Sequence, residues 1–160
     1  MGLITWIENT GYAEIIRVSA YGYPIMITLH SLGLAIMVGL SVVLSLRVLG
    51  YFETIPFSSL HRLLKIAWIG FIVNFISGSS LFSISATSFI VDPVFLIKMS
   101  MVILGAIFVA IMQSMIKTAL ASGAAATGQT PTGLKVLAWL TIGAWTIGMV
   151  TGRLIAYLPP

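Results

Sequence analysis

The chain has 160 residues, 59% of them hydrophobic and only 8% charged, with a mean hydropathy of +1.10, whereas soluble domains are about 25% charged. This composition predicts an all-α polytopic membrane protein whose length is used up by four crossings, with no separate catalytic domain. The absence of Cys excludes disulfides, thiolate metal sites and iron–sulfur clusters within the chain. The net charge of +4 comes from cations scattered at helix ends, which indicates membrane topology and excludes a nucleic-acid partner.

Residues 1–22 mix Leu3, Ile4, Ile7, Ile15, Ile16 and Val18 with Glu8, Glu14 and Arg17. They read as an amphipathic segment lying in the membrane interface, divided by Gly11. No basic stretch precedes an apolar run, so no cleavable signal peptide is expected and the first crossing serves as its own insertion signal. That crossing spans 24–47, with Pro24 in its first turn. The second spans 60–84, with Ser58 and Ser59 as N-caps. A polar connection, SATSFIVD, leads to Asp92-Pro93, a cap followed by a first-turn proline, and so to a third crossing over 93–117. Residues 118–130 read as a frayed helix end and a flexible loop. Thr130-Pro131 repeats the start signal, and the fourth crossing covers 132–158. The expected architecture is an up-and-down, integral membrane four-helix bundle, a single domain over 1–160 embedded in the lipid bilayer.

The loops after the first and third crossings hold Arg47, Arg62, Lys65, Lys117 and Lys135 against Glu53, while the other side has Glu8, Glu14 and Asp92 against Arg17. Positive charge stays inside, which predicts a bacterial inner (cytoplasmic) membrane protein with both termini periplasmic.

Threading in this order brings three ionisable groups to one level on the outer side. His30, Lys98 and Arg153 each lie roughly 8–10 Å inside their helix ends, and the second helix adds Ser77, Gly78, Ser79 and Ser80. Such groups in lipid are costly, and their convergence points to a cofactor or metal site. The structural alternative is snorkelling of Lys98 and Arg153, with His30 bonded to a carbonyl or a serine. Met26, one turn before His30, adds a thioether, and that pair suits Cu(I); eight Met in so apolar a chain also serve packing. His61 sits at the inner headgroup level, roughly 20–25 Å of helix rise from His30, so the two histidines do not share a metal. Ser31, Ala35 and Gly39 on the first helix, and Gly148 and Gly152 on the fourth, are close-approach surfaces for the bundle, a homo-oligomer or a larger membrane complex. Asn74 is expected to hydrogen-bond between helices. No nucleophile–base pair, phosphate-cradling loop or paired carboxylates can be assembled, so hydrolysis and phosphoryl transfer have no support.

The pieces YP-xxxx-LHSLGLA, LRVLG, SGSSLF, DPVFLIKM and W-xxxxxx-GRLIAY touch all four helices in order and resemble a family of uncharacterised bacterial four-helix membrane proteins. Where that family commonly has an acid shortly before the histidine, this chain has Ile27. The arrangement is more distantly similar to copper-resistance D-type membrane domains and to haem-binding protoporphyrinogen oxidases, in which a first-helix His, an Arg some sixteen residues later and a third-helix Lys recur; His30, Arg47 and Lys98 occupy matching places. The resemblance implies a b-type haem ligated by His30, with Lys98 and Arg153 pairing with its propionates or, for Lys98, approaching the iron, in electron transfer or oxidation of a membrane-soluble substrate. Copper handling through His30 and Met26, and a non-catalytic accessory or oligomer-forming subunit, are the two alternatives.

Overall fold

A computed structural model describes residues 2–121, 131–155 and 157, with His61 described in its backbone alone. The 122–130 loop, the Thr130 cap, the end of the fourth crossing at Leu158 and the interfacial role expected of the His61 side chain lie outside the described residues. Among the described residues seven helices follow in order: α1 (Leu3–Glu8), α2 (Gly11–Val18), α3 (Gly22–Val48), α4 (Phe57–Ser83), α5 (Ala86–Phe89), α6 (Pro93–Ala121) and α7 (Thr132–Leu154). Four of them, α3, α4, α6 and α7, are long and apolar enough to cross a membrane.

The boundaries follow from local chemistry. Asp92 caps α6 as expected, its Oδ1 accepting from the Val94 amide at 2.9 Å, and Pro93 takes the first helical position where no amide partner is needed. The expected Ser58 and Ser59 caps are replaced by Pro56, and α4 begins at Phe57 with no side-chain cap; extended Pro56 stops the turn, so the two serines fall inside it. The connection after α4 is not irregular throughout but winds into α5. Helix α6 runs one turn beyond Lys117, to Ala121.

Buried hydroxyls inside the long helices are satisfied by their own backbone, as an apolar surround demands. Ser45 donates to Ser41 O at 2.8 Å, Ser77 to Val73 O at 2.6 Å, Thr141 to Leu137 O at 2.8 Å and Thr151 to Ile147 O at 2.8 Å. The distribution of polarity is inverted relative to a water-soluble fold. Ile69, Phe75 and Trp139 are 61%, 63% and 63% exposed, while Ser41, Ser45, Ser77 and Thr141 are buried.

Neighbouring long helices pack antiparallel. Helix α3 lies against α4 and α7, α6 against α7, and α4 more sparsely against α6. The α3–α4 seam is the tightest. A Cβ on Gly33 would lie 2.6 Å from both Asn74 N and Gly70 O, and one on Gly70 would lie 2.9 Å from Gly33 O, so backbone rests directly on backbone. On the α6–α7 seam, Gly105 makes room for the Trp145 indole, while Gly148 and Gly152 face Met101 and Lys98 at ordinary contact distance. Gly39, by contrast, has nothing near it, and Ser31, Ala35 and Gly39 are all exposed. Of the two small-residue surfaces read from sequence, the one on α7 packs within the chain and the one on α3 faces outward.

The apolar core, which includes Met37, Leu44, Leu60, Leu64, Val109, Met112 and Trp145, fills the middle and the end of the molecule that holds the α3–α4 turn. The opposite end carries His30, Lys98 and the buried Ser77, Ser80 and Ser83 and is covered by α1, α2 and α5.

Candidate functional site

His30 sits two turns into α3, where the pitch of the helix turns it toward α4. Its ring edge occupies the gap left by a missing side chain: a Cβ on Gly78 would lie 2.9 Å from His30 Cε1 and 3.1 Å from Nδ1. Nδ1 lies 3.1 Å from the Asn74 carbonyl oxygen. A carbonyl only accepts, so Nδ1 carries the proton, and in the neutral ring Nε2 is left with its lone pair. Among the described residues Nε2 has no hydrogen-bond partner. The same Asn74 oxygen also accepts from Ser77 Oγ at 3.2 Å. The expected interhelical bond at Asn74 therefore runs through its backbone carbonyl and not its amide.

Lys98, in the second turn of α6, lays its stem across α7; a Cβ on Gly152 would lie 3.5 Å from Lys98 Cε and 3.8 Å from Nζ. The half-buried ammonium has no ion pair or hydrogen bond among the described residues. His30 thus packs against α4 at Gly78 and Lys98 against α7 at Gly152, contacts made by the first and third long helices.

The other expected site residues are placed differently. Arg153 is exposed, and its neighbour Gly152 takes the inward position opposite Lys98. Ser79 is exposed too, whereas Ser77, Ser80 and Ser83 are buried; the hundred-degree step of a helix turns Ser79 outward when its neighbours face in. Met26 is half-buried one turn above His30. Arg47 belongs to the far end, where Nε donates to Ile55 O at 2.8 Å and the guanidinium lies 4.4 Å from the centre of the Phe57 ring.

Above His30 the N-terminal helices form a strap. Tyr12 OH lies 2.6 Å from Ser80 Oγ. Arg17 donates to Glu14 at 2.7 Å and to Ile84 O at 2.8 Å, and Glu8 Oε2 accepts from the Thr87 hydroxyl at 2.6 Å and the Thr87 amide at 2.9 Å. The Thr87 hydroxyl, its amide and then the Arg17 charge hold the Glu8 carboxyl below the usual carboxylate range. Ala13 and Ile16 are the buried residues of α2, and a Cβ on Gly22 would lie 2.7 Å from Ile16 O, so α2 is seated directly on the start of α3. Beside the strap, Phe82, Phe89 and Phe95 stack with ring centres 5.2–6.4 Å apart. Sequence reasoning missed both: the strap bonds from Tyr12, Arg17 and Glu8 join residues far apart in the chain, and the phenylalanines, though near in sequence, meet only where the chain turns through α5 between α4 and α6.

The donor chemistry can be weighed against the expected groups. Among the described residues no three His, Asp or Glu side chains come together as a metal cluster. Haem supplies its own in-plane nitrogens and asks of the protein one axial donor. A histidine whose other ring nitrogen donates to a backbone carbonyl has the orientation and tautomer found in ligating imidazoles, and a nearby unpaired cation suits a propionate. His30 and Lys98 fit those two requirements; Arg153 and Ser79 contribute nothing visible to them. No known protein family matches the chain, and no curated protein and no solved structure is significantly similar to it.

Proposed function

We propose that the chain is a multi-pass membrane protein, its four long helices crossing the bilayer up and down, that holds haem b near the strap-covered end with His30 Nε2 as axial ligand. The observation that carries this reading is the His30 Nδ1 to Asn74 carbonyl contact at 3.1 Å, which fixes the ring and leaves the second nitrogen available. Haem bound there supplies one-electron chemistry, for electron transfer or for oxidation of a membrane-soluble substrate. Lys98 holds a propionate, its charge offsetting the burial of that group. The strap of α1 and α2 lies in the interface on the same side, with both chain termini outside and the Arg47, Arg62, Lys65, Lys117 and Lys135 end facing the cytoplasm. The test is titration of haemin into detergent-solubilised protein. Wild type saturates at one per chain with a Soret band, His30→Ala does not, and equal spectra for the two refute the assignment.

A second reading, a non-catalytic accessory subunit or homo-oligomer, is favoured by the exposed row Ser31, Ala35 and Gly39, on which another helix could approach closely. It is adopted if His30→Ala preserves cellular function while Gly39→Leu abolishes assembly. Copper handling through His30 and Met26 is the outcome if metal analysis finds copper that either His30→Ala or Met26→Ala removes.

A further inference from the structure

The seam between α4 and α6 is sparser than those of α3 with α4, α3 with α7 and α6 with α7, and toward the end away from the strap it opens into a groove of about 400 Å³ lined by Trp68, Ala110, Gln113, Ser114 and Lys117. Its polar groups share one character. Trp68 Nε1 donates to Gln113 Oε1 at 2.9 Å, which uses the amide's acceptor and leaves its NH₂ free to donate. The Ser114 hydroxyl and the Lys117 ammonium have no hydrogen-bond or ion-pair partner among the described residues. The lining thus offers an ammonium, a hydroxyl and an amide NH₂, with no acidic residue. A cation and two groups able to donate, with no carboxylate beside them, suit a ligand rich in anionic oxygen.

The groove is also graded along its length. Lys117 lies at the mouth, Gln113 and Ser114 about one turn deeper, and Ala110 with the Trp68 indole deeper still, roughly 10 Å from Lys117 along α6. A charged mouth over an apolar floor, on a helix long and apolar enough to span a membrane, matches a headgroup with an attached chain better than a free ion. We infer that the α4–α6 groove binds an anionic phospholipid, its phosphate held by Lys117, Ser114 and Gln113 and one acyl chain lying past Ala110 against Trp68. The inference rests on the helices crossing a bilayer and shares no residue with the His30 site, so either can fail without the other.

The test is native mass spectrometry of delipidated protein given phosphatidylglycerol or phosphatidylcholine with identical acyl chains. Wild type retains one phosphatidylglycerol in preference to phosphatidylcholine. Lys117→Gln weakens phosphatidylglycerol binding about five-fold, the effect of one cation at an anionic surface, and weakens phosphatidylcholine binding less, because the choline cation already offsets the phosphate charge in that lipid. Lys135→Gln, at the same end but outside the groove, leaves both unchanged. An unaltered circular dichroism spectrum of Lys117→Gln shows that the fold is kept. Equal retention of the two lipids, an equal loss in Lys117→Gln and Lys135→Gln, or full displacement by millimolar inorganic phosphate each overturns the proposal; the last would assign the groove to phosphate itself.

Discussion

Gly33→Ala tests the seam that positions His30. The added Cβ would lie 2.6 Å from Asn74 N and Gly70 O, against the 3.4 Å at which ordinary contact begins, so α3 and α4 must part by about 0.8 Å. Both obstacles are backbone and no side-chain rotation relieves them. Overpacking of this kind costs up to about 3 kcal/mol, and the better helix propensity of Ala returns about 1 kcal/mol, so the net loss is about 2 kcal/mol. Gly39→Ala on the same helix has open space around it; it keeps the propensity gain and loses nothing. Reversible unfolding in mixed micelles measures both. Separation of the helices also stretches the His30 to Asn74 bond, so Gly33→Ala binds haemin more weakly while Gly39→Ala binds as wild type. If the two variants have the same stability, or Gly33→Ala is the more stable, the seam described above is wrong.

Gly78→Ala pushes against the flexible His30 ring and not against backbone, so it should lower haem occupancy several-fold while the unfolding midpoint stays near wild type. Lys98→Met removes a half-buried cation that lacks a protein partner; it should raise the stability of the haem-free protein by about 1 kcal/mol and weaken haem retention about ten-fold, as for loss of one charge-assisted hydrogen bond. The strap depends on pH through Glu8. Its carboxyl titrates lower in the folded protein than in the unfolded chain, so its contribution to holding the strap is full above the ordinary carboxylate range and is lost as pH falls through the depressed folded value. Hydrogen exchange in residues 3–18 should accelerate in that acid window in wild type, and at neutral pH in Glu8→Gln. An unchanged protection pattern in Glu8→Gln contradicts the latch.

The four long helices were legible because a membrane-length apolar run is a local property, as was the Asp92-Pro93 start, where cap and proline are adjacent. That His30 and Lys98 both lie near the start of their helices was legible from threading order and depth, since up-and-down neighbours bring the start of one helix level with the start of the next but one. Depth does not give azimuth. Arg153 and Ser79 are at the expected level yet face outward, and Gly152 and Ser80 face inward in their place. The closest helix contact was hidden for a related reason. Gly33 and Gly70 form one surface only after two helices are brought into register, whereas Ser31, Ala35 and Gly39 advertise a row within one helix that the chain leaves uncovered. Gly70, Asn74 and Gly78, spaced by four on α4, were the available signal. Neither the strap bonds nor the stacked phenylalanines had a counterpart in any local pattern.

Haem content per chain, measured as the pyridine haemochrome of protein extracted from haem-replete membranes, tests the central claim most directly. The account predicts close to one haem b in wild type and almost none in His30→Ala, with both proteins equally folded. Haem absent from wild type, or undiminished in His30→Ala, would contradict it.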